Sequence, residues 1–433
     1  MATILIKNAK LVRDNVKEAD VFVRDGVITK IGRVDRNADI VIDGTDKYLF
    51  YGFCDLHTHL REPGYEGKET IATGVRAAVR GGFTDILCMP NTDPVCDNRV
   101  VAEFISRTAK DEGFAHVYPV GAITKGLKGE ELADMLPMKK AGVIAISDDG
   151  NPVSDGRLMK SAMKYAASVG LKVLSHSEDK TISAGGVANE GFNAESVGLS
   201  GISRAAEEAG IARDLALCDA TKLPVHLCHV STRGSVELIR FYKKKGVPVT
   251  AETCPHYFAL SDECVTSLDP MTKVNPPLRD EDDRTAIIEG IMDGTIDVIA
   301  TDHAPHSAAD KNTDYASAAF GISGLETAFS AAYTTLVRSG VIDMVALNRL
   351  MSVRPREIAG IGGRLREDER ANLTLVDVER SYVVDSREFA SKGKNTPFNG
   401  SRVYGRVTDV IVDGAVRLRD GRLVEAATES EEE

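Results

Sequence analysis

Eight short apolar runs rich in β-branched residues are spaced along residues 48 to 305, and nothing constrains the fold of this chain more. They read YLFYGFCDLH, FTDILCMP, AHVYPVGA, VIAISDD, KVLSHSE, PVHLCHVS, VPVTAETCPH and DVIATDHAP. Between them lie segments with helical apolar spacing. Among these are GKETIATGVRAAVRGG, RVVAEFISRTAKDEG, GRLMKSAMKYAASVG, RGSVELIRFYKKKG and RTAIIEGIMDG, several of which end at glycine. Buried strands alternating with helices build a parallel sheet, and eight such units predict an α/β fold, a TIM (β/α)8 barrel. After the eighth unit, SGLETAFSAAYTTLVRSG and IDMVALNRLMSVRPREIAG predict two further helices packed on the barrel.

The flanks differ in texture. Residues 1–49 alternate apolar with polar and are broken by Asp-Gly turns, as in ADVFVRDGVITKIG, and the same texture returns in VYGRVTDVIVDGAVRLRDGRLV. These two pieces predict one small composite β-sandwich domain made of residues 1–49 and 363–425. The barrel then spans 50–362, and an acidic, disordered tail occupies 426–433.

A chain of 433 residues exceeds one ordinary compact domain, which suits this division. No apolar run approaches eighteen residues and no basic N-terminal stretch leads into one, so neither a membrane span nor a secretory signal is expected. The net charge of −12 argues against a nucleic-acid or anionic-membrane partner. An anionic small molecule therefore needs a local positive site. The seven cysteines are odd in number and form no CxxC pair, which fits reduced thiols in a cytoplasmic enzyme.

In such a barrel catalytic groups gather at the C-terminal ends of the strands. Strand one ends in His57 and His59, the loop after strand two carries Asn91, and strand four ends in Asp148 and Asp149. Strand five gives His176, strand six His229, and strand eight Asp302 followed by His306. The two-residue period of a strand puts Asp55, His57, His59 and Arg61 on one face and sets His226 opposite His229. It also favours Asp149 over Asp148 as the inward carboxylate, because Ala145 and Ser147 on its face are small. A single buried histidine is more often a hydrogen-bonded core residue than a ligand, and SDDGNP alone reads as a turn. Four histidines and two aspartates at matching strand ends are far more specific than any one of them. His116, His226, His256 and His303 have no partner in the pattern and are read as ordinary structural residues.

The segments DLHTHLREPG, MPNT, SDDG, SHSE, CHVST, KVNPPLR, TDHAPH, FGISGLE and NTPFNG follow one another along the chain. In these residues the sequence resembles the dihydroorotases of the amidohydrolase superfamily, in their longer-chain class, over nearly its whole length. The resemblance implies that His57 and His59 ligate one metal ion and His176 and His229 a second. Asp302 joins the first ion and carries the proton. Asp149 bridges the two, where many relatives use a carboxylated lysine. It further implies Arg61, Asn91 and Asn275 as substrate contacts, with His306 and the backbone at Phe320 and Gly321 completing the pocket. Imidazole and carboxylate ligands suit zinc, one or two Zn2+ per subunit with two expected.

The implied activity is the reversible cyclisation of N-carbamoyl-L-aspartate to (S)-dihydroorotate in pyrimidine biosynthesis. The rival readings are a cyclic amide hydrolase of the allantoinase or hydantoinase type and a catalytically silent structural partner of aspartate transcarbamoylase. A complete ligand set speaks against silence. A homodimer is the expected assembly, and a complete ligand set is compatible with association with aspartate transcarbamoylase. Tyr51 stands where the family usually has proline, and Asn372 where it usually has aspartate. The stretch SAADKNTDYASAA after His306 is not matched residue by residue.

Overall fold

A computed structural model describes residues 2–183 and 185–425, so the tail expected over 426–433 lies outside the described residues. Its centre is an eight-stranded parallel sheet in sequence order: Phe53–Thr58, Phe83–Cys88, His116–Gly121, Ala145–Ile146, Lys172–Ser175, Val225–Leu227, Val249–Thr253 and Val298–Ile299. The first and last strands meet through a parallel bridge of Thr58 with His303, where the His59 amide donates to the His303 carbonyl at 2.8 Å. That contact closes the sheet into the expected barrel. Cys54, Leu56, Leu87, Val120, Ala145, Leu174 and Val298 fill its interior.

The helices that follow the strands start where the sequence offers caps. Thr70, Asn98, Asp155, Thr232 and Asp280 each accept a backbone N–H of the first turn with their side chains, opening helices Ile71–Arg80, Arg99–Glu112, Gly156–Val169, Arg233–Lys244 and Glu281–Met292. Gly113 and Gly170 end two of these helices in the left-handed conformation. A further long helix, Arg204–Thr221, lies between strands five and six. The two helices expected after strand eight are each interrupted by a π-turn, at Tyr333–Val337 and at Arg349–Val353.

The terminal segments form one hydrogen-bonded, nine-stranded mixed sheet, in which Tyr48–Tyr51 pairs with both Ile4–Val12 and Leu373–Val383. Ile6, Leu11, Val21, Ile28, Leu49, Leu373 and Ile411 pack together as its own core. The run YLFYGFCDLH, read as the first barrel strand, is therefore two strands in two sheets. The break is Gly52, where a Cβ would lie 2.3 Å from the Thr84 side chain. Both departures from the family pattern fall at this junction. Asn372 takes the Gly52 N–H on its carbonyl at 2.9 Å, and the Tyr51 ring packs under Arg356 at 4.9 Å. No helix among the described residues is long and apolar enough to cross a membrane.

Candidate active site

Strand one does not deliver its histidines by simple alternation. Asp55 pairs with Ile86 and Thr58 with Cys88, so three steps on strand one face two on strand two, a β-bulge. Cys54 and Leu56 point into the barrel core, and the bulge lets His57 turn inward after them. Asp55, expected on the same face, instead accepts from Thr301 N at 3.1 Å and from Thr301 Oγ at 2.5 Å, bracing strand one against strand eight. Arg61 enters the pocket from beyond the strand, through a left-handed residue with φ 62°. His229 and Asp302 also have positive φ, 35° and 46°. Such backbone is uncommon for residues other than glycine and costs free energy, and three of its twelve instances among the described residues line this one pocket.

The expected carboxylate, Asp149, stands at the centre of the cluster. Its Oδ1 lies 3.3 Å from His57 Nε2, 3.3 Å from His176 Nδ1 and 3.5 Å from His229 Nε2, and its Oδ2 lies 3.4 Å from His59 Nε2. Asp302 Oδ1 is 3.2 Å from His59 Nε2 and 3.6 Å from His57 Nε2. Asp148 turns away to cap the Ile123 and Thr124 amides at 2.7 and 3.0 Å.

The remaining ring nitrogens fix the tautomers. His57 Nδ1 is 2.9 Å from Glu252 Oε1, His59 Nδ1 is 2.8 Å from Asn91 Oδ1, and His176 Nε2 is 3.0 Å from Glu178 Oε2. Each of these oxygens accepts a hydrogen bond from the ring N–H, so in the neutral ring the lone pair of the other nitrogen faces Asp149, with His176 Nδ1 also 2.8 Å from His229 Nε2. Among the described residues, His57 Nε2 and Asp149 Oδ1 are buried with no hydrogen-bond partner of their own. Burial works against a charged His57, but the Asp149 and Asp302 carboxylates outweigh it and raise its pKa, so Nε2 calls for positive charge, a proton or, in the neutral ring, a metal ion on its lone pair. Such an arrangement favours a bound cation.

Two trios, His57, His59, Asp149 and Asp149, His176, His229, each bring three donor atoms within 4.8 Å of one another. Nitrogen and carboxylate donors with orphaned, converging lone pairs fit a divalent transition metal ion, and two trios sharing Asp149 can hold two.

Around these donors is a cavity of about 250 Å³, lined also by Arg61, Asn91, Asn275, His306, Phe320 and Gly321. Asn91 uses its carbonyl on His59, which leaves its NH2 for a ligand. The Asn275 NH2 reaches Glu178 at 3.4 Å. His306 Nε2 donates to the Phe320 carbonyl at 2.7 Å, and burial beside Arg61 and Lys68 pushes the ring's pKa down to about 3, so it is neutral. The backbone expected to meet substrate is partly engaged within the protein, since Gly321 N donates to the Lys273 carbonyl at 3.0 Å. A side chain at Gly321, φ 133°, would put its Cβ 2.7 Å from that of Ala304.

Of the four histidines read as structural, His116 joins Asp85 and Asp413 at 3.0 and 2.9 Å, and His303 lies 3.3 Å from Glu69. The buried His256 has no hydrogen-bond partner at Nε2 among the described residues. His226 lies closer to the chemistry, with its Nε2 3.0 Å from Glu252 Oε2. Glu252 and Glu178 are the residues sequence reasoning missed. Burial alone would raise the Glu252 carboxyl, but His226 and His57 hold it well below the usual carboxylate range. As an anion it orients His57. Glu252→Gln is expected to weaken metal binding by about 10- to 100-fold, read by chelator competition; an unchanged affinity would remove this orienting role.

The barrel, the shared carboxylate and the histidine trios define an amidohydrolase of the metal-dependent cyclic amide type. Within that class the chain belongs to the dihydroorotase family. A family profile described as Dihydro-orotase-like matches residues 46–235. A protein of Thermoanaerobacter sp. (strain X514) named dihydroorotase is 48% identical over 98% of this chain and 99% of its own. One of Acetivibrio thermocellus with the same name is 49% identical over 93% and 95%. Among solved structures, the L-hydantoinase of Arthrobacter aurescens superposes with a TM-score of 0.89 at 25% identity over 98% of both chains. The dihydropyrimidinase of Brevibacillus agri NCHU1002 does so with 0.83 at 22%.

Proposed function

We propose that the protein is a zinc-dependent dihydroorotase that closes N-carbamoyl-L-aspartate to (S)-dihydroorotate with loss of water, and runs the reverse hydrolysis, in pyrimidine biosynthesis. The observation that carries this reading is Arg61, a guanidinium lining the same cavity as the two histidine trios. Its planar fork suits the carboxylate that distinguishes dihydroorotate from simpler cyclic amides. His57, His59 and Asp302 would hold one Zn2+, His176 and His229 a second, and Asp149 would bridge them. Bound there, zinc supplies a polarised ring carbonyl and a water acidified toward neutral pH.

The chain's own residues do the rest. Arg61 and the Asn91 NH2 bind the α-carboxylate, while Asn275, neutral His306 and the turn at Phe320 and Gly321 hold the ring. In hydrolysis, water adds to the ring amide carbonyl and Asp302 holds the proton released. As the C–N bond breaks, Asp302 returns that proton to the departing nitrogen. Cyclisation runs these steps backward.

The seven cysteines are all free, six of them buried, which supports a reducing, cytoplasmic setting. A homodimer belongs to the same proposal, and an active site of this kind is compatible with association with aspartate transcarbamoylase. Side-by-side assay of dihydroorotate, allantoin and a substituted hydantoin tests the reading on the zinc-loaded protein. Preferred turnover of dihydroorotate is expected, and preference for either other substrate overturns it.

A further inference from the structure

We infer that Lys311 is a positioning residue for substrate binding, a buried clamp that ties the segment after strand eight to the segment after strand seven and sets the far wall of the pocket. This rests on reading that pocket as the substrate site.

Lys311 ends the short helix Ala308–Lys311 within SAADKNTDYASAA and is 1% exposed. Its Nζ donates to three backbone carbonyls, Pro270 at 2.9 Å, Lys273 at 3.1 Å and Ala319 at 2.7 Å. Among the described residues no carboxylate lies within ion-pair distance of it, the nearby acids being Asp269 and Asp310. Lysine is rarely buried without a partner, because desolvating an ammonium is costly. A side chain needed only to fill space would be methionine or leucine. Burial and neighbouring Lys273 push the Lys311 pKa down to about 7, whereas three accepting carbonyls call for all three ammonium protons.

The carbonyls it holds lead straight to the pocket. Ala319 precedes Phe320, and the Lys273 carbonyl also accepts the Gly321 N–H at 3.0 Å. Lys273 is two residues before Asn275, and its own Nζ lies 4.4 Å from the centre of the Phe320 ring. One residue before Lys311, Asp310 lies 3.6 Å from Lys68, whose Nζ is 3.5 Å from His306 Nδ1. Without the clamp, the Ala319 carbonyl loses its donor, the Pro270 and Lys273 carbonyls keep one backbone donor each, and Phe320, Gly321 and Asn275 lose a fixed relation to one another.

The test is Lys311→Met on the full, zinc-loaded chain, with Lys311→Arg as the conservative variant. Lys311→Met is expected to raise KM for dihydroorotate by about 10- to 100-fold while kcat changes by less than about threefold, since displaced binding groups act on substrate affinity. Lys311→Arg should recover part of that loss. Hydrogen exchange of the 307–321 peptide in the free enzyme should quicken in Lys311→Met. Should that variant fail to accumulate, Lys311→Gln is read by the same ratios. An unchanged KM, a fall in kcat at constant KM, or faster exchange without a change in KM overturns the inference. If the unaltered protein ignores dihydroorotate, the functional reading fails separately. Lys311 is then judged by the same KM comparison on whichever cyclic amide the protein does hydrolyse.

Discussion

Asp302→Asn is expected to lower kcat for dihydroorotate by about 10²- to 10⁴-fold, the range that general acid and base assistance supplies. The amide matches the carboxylate in shape but cannot take a proton from water and return it to nitrogen. Burial alone would raise the Asp302 carboxyl, yet His57, His59 and His229 beside it outweigh that and bring its pKa down to about 2. It is therefore an anion before substrate arrives, held by a strained backbone turn against the pocket. Because Asp302 also belongs to the proposed ligand set, metal content is measured on the same sample. A fall in kcat at full metal content supports the proton carrier. Near-normal turnover, or full rescue by excess zinc, removes that role and leaves Asp302 as a ligand only.

The barrel was legible because its units repeat two periods, strand and helix, and each apolar run named above contains a strand of the barrel. The exception is instructive. YLFYGFCDLH is continuously apolar, so its division at Gly52 between two sheets leaves no trace in periodicity, and only the clash with Thr84 shows why glycine stands there. The histidines and Asp149 were legible as strand-end polar residues, although the face argument for Asp55 failed at a bulge that a one-strand pattern cannot reveal. Glu252 carried a readable signal, a carboxylate inside the apolar run VPVTAETCPH, and Glu178 stood two residues after His176. Lys311 carried none. A lysine between Asp310 and Asn312 looks solvated, and its burial depends on carbonyls about forty residues earlier in the chain.

Arg61→Met is expected to reduce kcat/KM for dihydroorotate by about 10²-fold, mostly through KM, while leaving metal content intact. Each hydrogen bond from a charged group is worth about 1.5–3 kcal/mol, and a tenfold change in binding corresponds to about 1.4 kcal/mol, so losing a two-pronged contact costs on the order of 3 kcal/mol. Arg61 Nε donates to the Pro305 carbonyl at 3.2 Å, which sets the plane of the guanidinium, with Nη2 3.5 Å from His306 Nε2 and both Nη groups at the pocket wall for the substrate. No metal-ligand candidate depends on it for a hydrogen bond, so metal binding has no reason to change. Arg61→Lys keeps the charge but not the fork and should lose about tenfold. The sharper test uses a hydantoin without a carboxylate. If Arg61 reads the carboxylate, Arg61→Met leaves the slow turnover of that substrate unaffected while it cripples dihydroorotate. Equal losses on both substrates would make Arg61 a general pillar of the pocket, and the carboxylate specificity would have to be sought elsewhere in its wall.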